Sequence, residues 1–198
     1  MRPAAAPPPK DDAWVFAYGS LMWKPGFPFV EVRAARLYGY HRALCIYSIR
    51  GRGTDDRPGL VLGLDRGGSC VGRAYRVAAT EWEAVRAYLH VREMVTNVYR
   101  PTFLCVTLDD GRRVAAYGFV ARHDHAQYTG RLPEGRMAEL ILQGAGLHGT
   151  ARDYLAHTVA QMDALGIRTG SLHRLLKRVN ATPSVLPVQA GKAPGASP

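Results

Sequence analysis

The order in which hydrophobic periods change along this chain constrains its fold more than any single residue does. Between Trp14 and Ala121 the apolar residues fall mostly into short β-type runs, and after Met137 they recur at helical spacing. The spacing predicts strands beginning at Trp14 and over residues 30–37, 41–48, 60–64, 70–77, 99–108 and 112–121. Asp65-Arg66-Gly67-Gly68-Ser69 reads as a turn, and Asp109-Asp110-Gly111 between two β-rich runs is a hairpin signal. One helix interrupts the strands. Thr80 is its expected N-cap, Glu81 and Glu83 suit its first turn, Trp82, Val85 and Leu89 share its apolar face, and it stops near His90. Three helical patterns close the chain, carried by Met137, Leu140 and Ile141, then by Tyr154, Leu155, Val159, Met162 and Leu165, and last by Leu172, Leu175, Leu176 and Val179. Strands first and helices after predict an α+β domain whose sheet curls into a barrel. Its expected limits are residues 13–179, with a proline-rich disordered leader at 1–12 and a disordered tail at 180–198.

Composition narrows the function classes. No run approaches the roughly 18 apolar residues that a membrane span needs, and the Ala/Pro-rich start lacks the apolar stretch of a secretory signal. Cys45, Cys70 and Cys105 are odd in number and far apart, which points to neither a zinc site nor a disulfide framework and makes a reducing, cytoplasmic setting the default. The net charge of +10 raises nucleic-acid binding as a class. Yet the arginines are spread along the chain, lysine occurs only at positions 10, 24, 177 and 192, and the aromatics do not interleave with basic residues. No nucleic-acid and no membrane partner is expected; the arginine bias is read either as coding composition or as positive potential that gathers a small anionic substrate.

Two stretches carry chemistry. In Trp14-Val15-Phe16-Ala17-Tyr18-Gly19-Ser20-Leu21 an apolar strand runs into a small-residue turn. Such a turn exposes main-chain N–H groups that can hold an anion or carboxylate, with the Ser20 hydroxyl as a further donor. In Tyr88-Leu89-His90-Val91-Arg92-Glu93-Met94 a carboxylate sits among apolar neighbours, where desolvation raises its pKa and makes it a usable base near neutrality. Read singly, each has a plainer meaning, a strand end and a helix-end Arg–Glu pair. The loop Gly51-Arg52-Gly53-Thr54-Asp55-Asp56-Arg57-Pro58-Gly59 looks like a phosphate loop but lacks the GKS or GKT ending and the following helix, so a P-loop is rejected.

Together, VFAYGSLMW near the start, GRAYRV in the middle, YLHVREM some seventy residues after the first turn and LHGTARDYL late in the chain resemble, in this order, the ChaC family of glutathione-specific γ-glutamylcyclotransferases. The resemblance covers roughly residues 14–179. It implies the γ-glutamylcyclotransferase-like fold, a mixed β-barrel with flanking helices, and glutathione as a small-molecule substrate. It also implies that Val15, Phe16, Ala17, Tyr18, Gly19, Ser20 and Leu21 bind the γ-glutamyl group, that Glu93 is the catalytic base, and that Tyr128 lies near the site. Ala17 stands where the family usually has glycine, and Ala151 where it often has asparagine.

The reaction so implied needs neither metal nor organic cofactor. Glu93 takes a proton from the substrate's α-amine, the freed nitrogen attacks the substrate's own γ-carbonyl, and 5-oxoproline forms as cysteinyl-glycine leaves. Arg36, Arg42 and Arg76 are candidates to meet the glycine carboxylate. His123 and His125 read as a loop pair rather than metal ligands. Action on other γ-glutamyl compounds is the alternative, and a basic nucleic-acid-binding module the remote one.

Overall fold

β1 (Ala13–Ala17) is buried at all five positions, and its wholly apolar sequence suits a strand covered on both faces. The computed structural model describes residues 12–168 and 170–182, so most of the expected leader and tail lies outside the described residues. Within them β1 pairs antiparallel with β3 (Gly59–Val77), and parallel with β5 (Arg113–Ala121) through Trp14↔Ala116 and Val15↔Tyr117. β2 (Glu31–Ser48) joins β3 to β4 (Tyr99–Leu108), and β4 pairs with β5, so five strands close as β1-β3-β2-β4-β5. The α+β barrel expected from the sequence is the fold observed.

The four strands expected over residues 30–48 and 60–77 are two long ones, and residues 65–69 are not a turn. β2 and β3 pair from Glu31↔Arg76 to Ser48↔Gly59, and Asp65 and Ser69 stay in the ladder opposite His41 and Tyr38. Gly67 and Gly68 stand opposite the single residue Gly39, and all three have positive φ (92°, 69° and 83°). The glycines signal left-handed backbone correctly, but a bulge and a turn ask for the same residues. A second register shift leaves Cys45 as the extra residue between Leu44↔Leu62 and Ile46↔Val61.

Thr80 is not a helix cap. It lies inside a 3-10 turn, Ala79–Glu81, and α1 (Trp82–Glu93) follows without a side-chain cap. The turn is held instead by Asp12, whose carboxylate accepts from the Ala79 N–H (3.1 Å) and pairs with Arg76. α1 also runs three residues past His90, so Glu93 is its last helical residue. α2 (Glu134–Gln143) and α3 (Ala151–Ala164) lie against β3, and α4 (Gly170–Ala181) packs on both, extending two residues beyond the expected domain limit. Thr150 Oγ1 caps α3 by accepting from the Asp153 N–H (3.0 Å), so Ala151 is a buried first helical residue with no capping duty. No helix among the described residues is long and apolar enough to cross a membrane.

Phe16, Tyr75, Leu64, Phe119, Leu140 and Ile141 are all but fully buried in one core between barrel and helices. Tyr75 adds a polar anchor to it. Its hydroxyl is shared between the carbonyls of Leu21 (3.1 Å) and Met22 (2.8 Å), which fixes the chain just past β1. Tyr75→Phe removes that donor and keeps the ring. It should lower unfolding free energy by about 1 kcal/mol, read as a lower urea midpoint at unchanged slope; an unchanged midpoint would show that the turn does not lean on Tyr75.

Candidate active site

After β1 the chain passes Tyr18 and Gly19 into a 3-10 turn, Ser20–Met22. Its carbonyls accept from within the turn, Gly19 O from Met22 N (2.9 Å) and Ser20 O from Lys24 N (2.9 Å). The N–H groups of Gly19, Ser20 and Leu21 have no acceptor among the described residues. They border a cleft of about 810 Å³ that is also lined by Glu93, Arg92 and Tyr88 of α1, Leu62 of β3, Tyr99 of β4, Tyr154 and His157 of α3, and Arg52 and His148 from loops. The cleft therefore lies where the open end of the barrel meets the tip of α1 and the flank of α3.

Two arginines set the turn. Arg42 reaches from β2 to donate to Tyr18 O (2.6 Å) and Val71 O (2.8 Å), with Met22 Sδ at 3.7 Å. Arg92 bridges α1 to the turn, donating to Lys24 O (2.7 Å), Pro25 O (3.2 Å), the Tyr88 hydroxyl (2.9 Å) and Ser20 Oγ (3.0 Å). Its Nε also stands 3.2 Å from Glu93 Oε1. One guanidinium thus fixes the carboxylate and the turn relative to each other.

Glu93 is 19% exposed. Burial pushes its carboxyl above the ordinary value, and Arg92 pulls it part of the way back. Around it stand three phenols. Burial raises the pKa of Tyr18, Tyr99 and Tyr154, with the Glu93 charge adding to each, and that of Tyr154 rises to about 12. Tyr99 donates to Leu62 O (2.8 Å) while Leu62 N–H donates to the Tyr154 hydroxyl (3.4 Å), so the backbone of one β3 residue holds both rings. The Tyr18 hydroxyl has no partner among the described residues. The arrangement can seat a polar ligand on main-chain donors, remove a proton with one carboxylate, and offer neutral phenols as further donors.

The structure brings together Tyr18, Gly19, Ser20, Leu21 and Glu93. It keeps Val15, Phe16 and Ala17 inside β1, buried and away from the cleft, with Ala17 in ordinary strand conformation opposite Arg73. Tyr128 is also elsewhere. It stacks on His123 at 4.4 Å and donates to Asp65 Oδ2 at 3.0 Å, against the outer part of β3. The arginines named from the sequence do not line the cleft. Arg36 meets Ser69, Arg42 is taken up by carbonyls beneath the turn, and Arg76 is paired with Glu31 and Asp12. The cleft holds Arg52, Tyr99, His148 and His157 instead. Arg52 sits in the loop dismissed as a false P-loop, and Tyr99 and the histidines follow no local pattern that sets them apart from core and loop residues.

The family described as ChaC-like protein matches residues 13–182. The chain is 38% identical over 175 residues to the glutathione-specific gamma-glutamylcyclotransferase of Escherichia coli (strain K12), across 88% of this chain and 76% of that one. It is 30% identical over 175 residues to gamma-glutamylcyclotransferase 2-3 of Arabidopsis thaliana, across 84% and 87% of the two chains. The crystal structure of a gamma-glutamyl cyclotransferase specific to glutathione from yeast shares the fold, with a TM-score of 0.76 over 87% of this chain and 97% of that one at 23% identity.

The burial of Glu93 has a thermodynamic signature of its own. A carboxyl whose pKa is raised by folding stabilises the protein below its unfolded pKa, and that contribution is lost as pH rises through the folded value. Glu93→Gln should therefore melt higher than the parent at about pH 7.5, by roughly 2–4 °C per kcal/mol relieved, and the gap should close near about pH 4. A lower melting point at neutral pH would mean that the Arg92 pair outweighs the burial.

Proposed function

The chain is a member of the ChaC-like family, and from that premise we propose that it is a glutathione-specific γ-glutamylcyclotransferase, a carbon–nitrogen lyase that converts glutathione to 5-oxoproline and cysteinyl-glycine. The observation that carries the reading is the meeting of Glu93, a carboxylate with raised pKa, and the free N–H groups of Gly19, Ser20 and Leu21 in one cleft.

The substrate's α-amine has a pKa of about 8 and is mostly protonated at neutral pH. A carboxylate whose proton affinity is raised by burial, and whose charged form Arg92 supports, is suited to take that proton. The freed nitrogen attacks the γ-carbonyl carbon of the same molecule, forming the C–N bond of the lactam. Negative charge collects on the γ-carbonyl oxygen, where main-chain donors of the turn stabilise it. The bond to the cysteine nitrogen then breaks, and Glu93 returns its proton to the departing amine. Because the attack is intramolecular, a cleft that holds the γ-glutamyl chain folded supplies much of the rate. Arg92 acts through Glu93 and Ser20 as a positioning residue. A reducing cytoplasm suits both the substrate and the unpaired thiols Cys45, Cys70 and Cys105.

Purified protein should release 5-oxoproline from glutathione, and Glu93→Gln should lower kcat by about 10²- to 10⁴-fold while the circular dichroism spectrum is kept. In the parent, kcat/KM should fall on the acid side as Glu93 is protonated. Full activity in Glu93→Gln would remove it as the base, and equal turnover of γ-glutamyl-alanine would remove the glutathione specificity in favour of other γ-glutamyl substrates.

A further inference from the structure

The loop that leads into β3 is built around the backbone of Arg52. A Cβ on Gly59 would stand 2.1 Å from the Arg52 carbonyl oxygen, and one on Gly144 would stand 2.5 Å from the same atom, so neither position has room for a side chain. Gly53 and Gly146 close the same knot against neighbouring backbone. The Leu147 and His148 N–H groups donate to the carbonyls of Arg50 (2.9 Å) and Gly51 (2.8 Å), and the Arg52 N–H donates to Ser48 Oγ (2.9 Å). Segments almost a hundred residues apart are thereby locked about a single residue, which a covering loop would not need.

That residue's side chain reaches the cleft. Its guanidinium donates to Thr150 O (3.3 Å) and lies 5.6 Å from the centre of the Tyr154 ring. Burial pushes its pKa down, as expected of a cation drawn out of water. Among the described residues it enters no ion pair. Arg92, the other guanidinium in the cleft, is committed to carbonyls, hydroxyls and Glu93. Lys24 is an exposed residue of the cleft wall. The Asp153 carboxylate acts on it only at longer range, so Arg52 is a half-buried, rigidly mounted cation whose fork-shaped donors meet no carboxylate among the described residues, which is the make-up of a carboxylate receptor. It is not paired with Glu93; Tyr154 is the group that feels both charges.

We propose that Arg52 receives the terminal carboxylate of the peptide that leaves, the glycine carboxylate of glutathione, and so selects γ-glutamyl peptides with a free carboxyl end. The proposal rests on the cyclotransferase reading of the same cleft. In that reading the α-carboxylate of the γ-glutamyl group adjoins the amine and belongs beside Glu93 and the turn. The glycine carboxylate lies several bonds away, beyond the bond that breaks, and is left for the wall formed by Arg52 and Tyr154.

The test crosses the enzyme with its substrate: parent, Arg52→Gln and Arg52→Lys against glutathione and its glycine monoethyl ester. The parent should lose about 10- to 100-fold in kcat/KM on the ester, chiefly through KM. Arg52→Gln should lose a similar factor on glutathione but treat the two substrates alike, and Arg52→Lys should recover part of the preference. If the parent does not distinguish the substrates, or Arg52→Gln loses the same factor on both, the assignment is overturned. Should Arg52→Gln fail to fold, the parent and Arg52→Lys still decide the matter by their preference for the free acid. A parent inert toward both substrates would overturn the cyclotransferase reading, and this proposal with it.

Discussion

A guanidinium drawn out of water and given only neutral acceptors costs free energy unless its hydrogen bonds are well made. Arg42 is such a group, and the site depends on it. Burial lowers its pKa, and its donors go to Tyr18 O and Val71 O. The charge is spent on turning one carbonyl of the post-β1 turn toward the barrel. With that carbonyl engaged from below, and Tyr75 holding those of Leu21 and Met22, the three N–H groups of Gly19, Ser20 and Leu21 are left without partners among the described residues. Arg92 then ties the same turn to the end of α1. Arginine suits both places because its planar fork can satisfy several fixed acceptors at once.

Titratable groups in the cleft are sorted by this framework. Tyr18, Tyr99 and Tyr154 are held in their neutral, hydrogen-donating form by burial and by the Glu93 charge. Glu93 is raised by its own burial, but the adjacent guanidinium limits the rise. Burial thus acts on all four groups in the same direction, against the charged form, and among them only the carboxylate is paired with a guanidinium that opposes it. The charges of Arg52 and Arg92 have separate settings, one mounted on a knot of backbone and the other woven into the turn.

Much of this was legible in the sequence, and the reasons for the misses are physical. Period changes along the chain point to the α+β barrel, and the turn at Gly19 and the carboxylate at Glu93, both conspicuous in the sequence, line one cleft. The Gly67-Gly68 pair was read as a chain reversal because positive φ is all that the residues announce; whether a neighbour strand absorbs them as a bulge is decided by β2, far away in sequence. Thr80 has the right chemistry for a cap, but Asp12 reaches that turn first, and no local pattern links residues 12 and 79. Arg76 and Arg42 look as free in the sequence as Arg52 does. Only the fold reveals that Arg76 is consumed by carboxylates and Arg42 by carbonyls, while Arg52 spends one donor on the Thr150 carbonyl and lines the cleft.

The parallel pairing of β1 with β5 has a consequence for how the protein comes into being. β1 leaves the ribosome before the other four barrel strands and is wholly apolar, yet the strand that closes the barrel against it is encoded roughly a hundred residues later. At about 5–20 residues per second, that edge waits on the order of 5–20 s for its partner during synthesis. Until then the antiparallel β3 can cover one side of it, and the other is an open template for stray strands. The short length of β1, five residues, keeps that template small. A chain that ends its function at the tip of its first strand must therefore protect that strand longest.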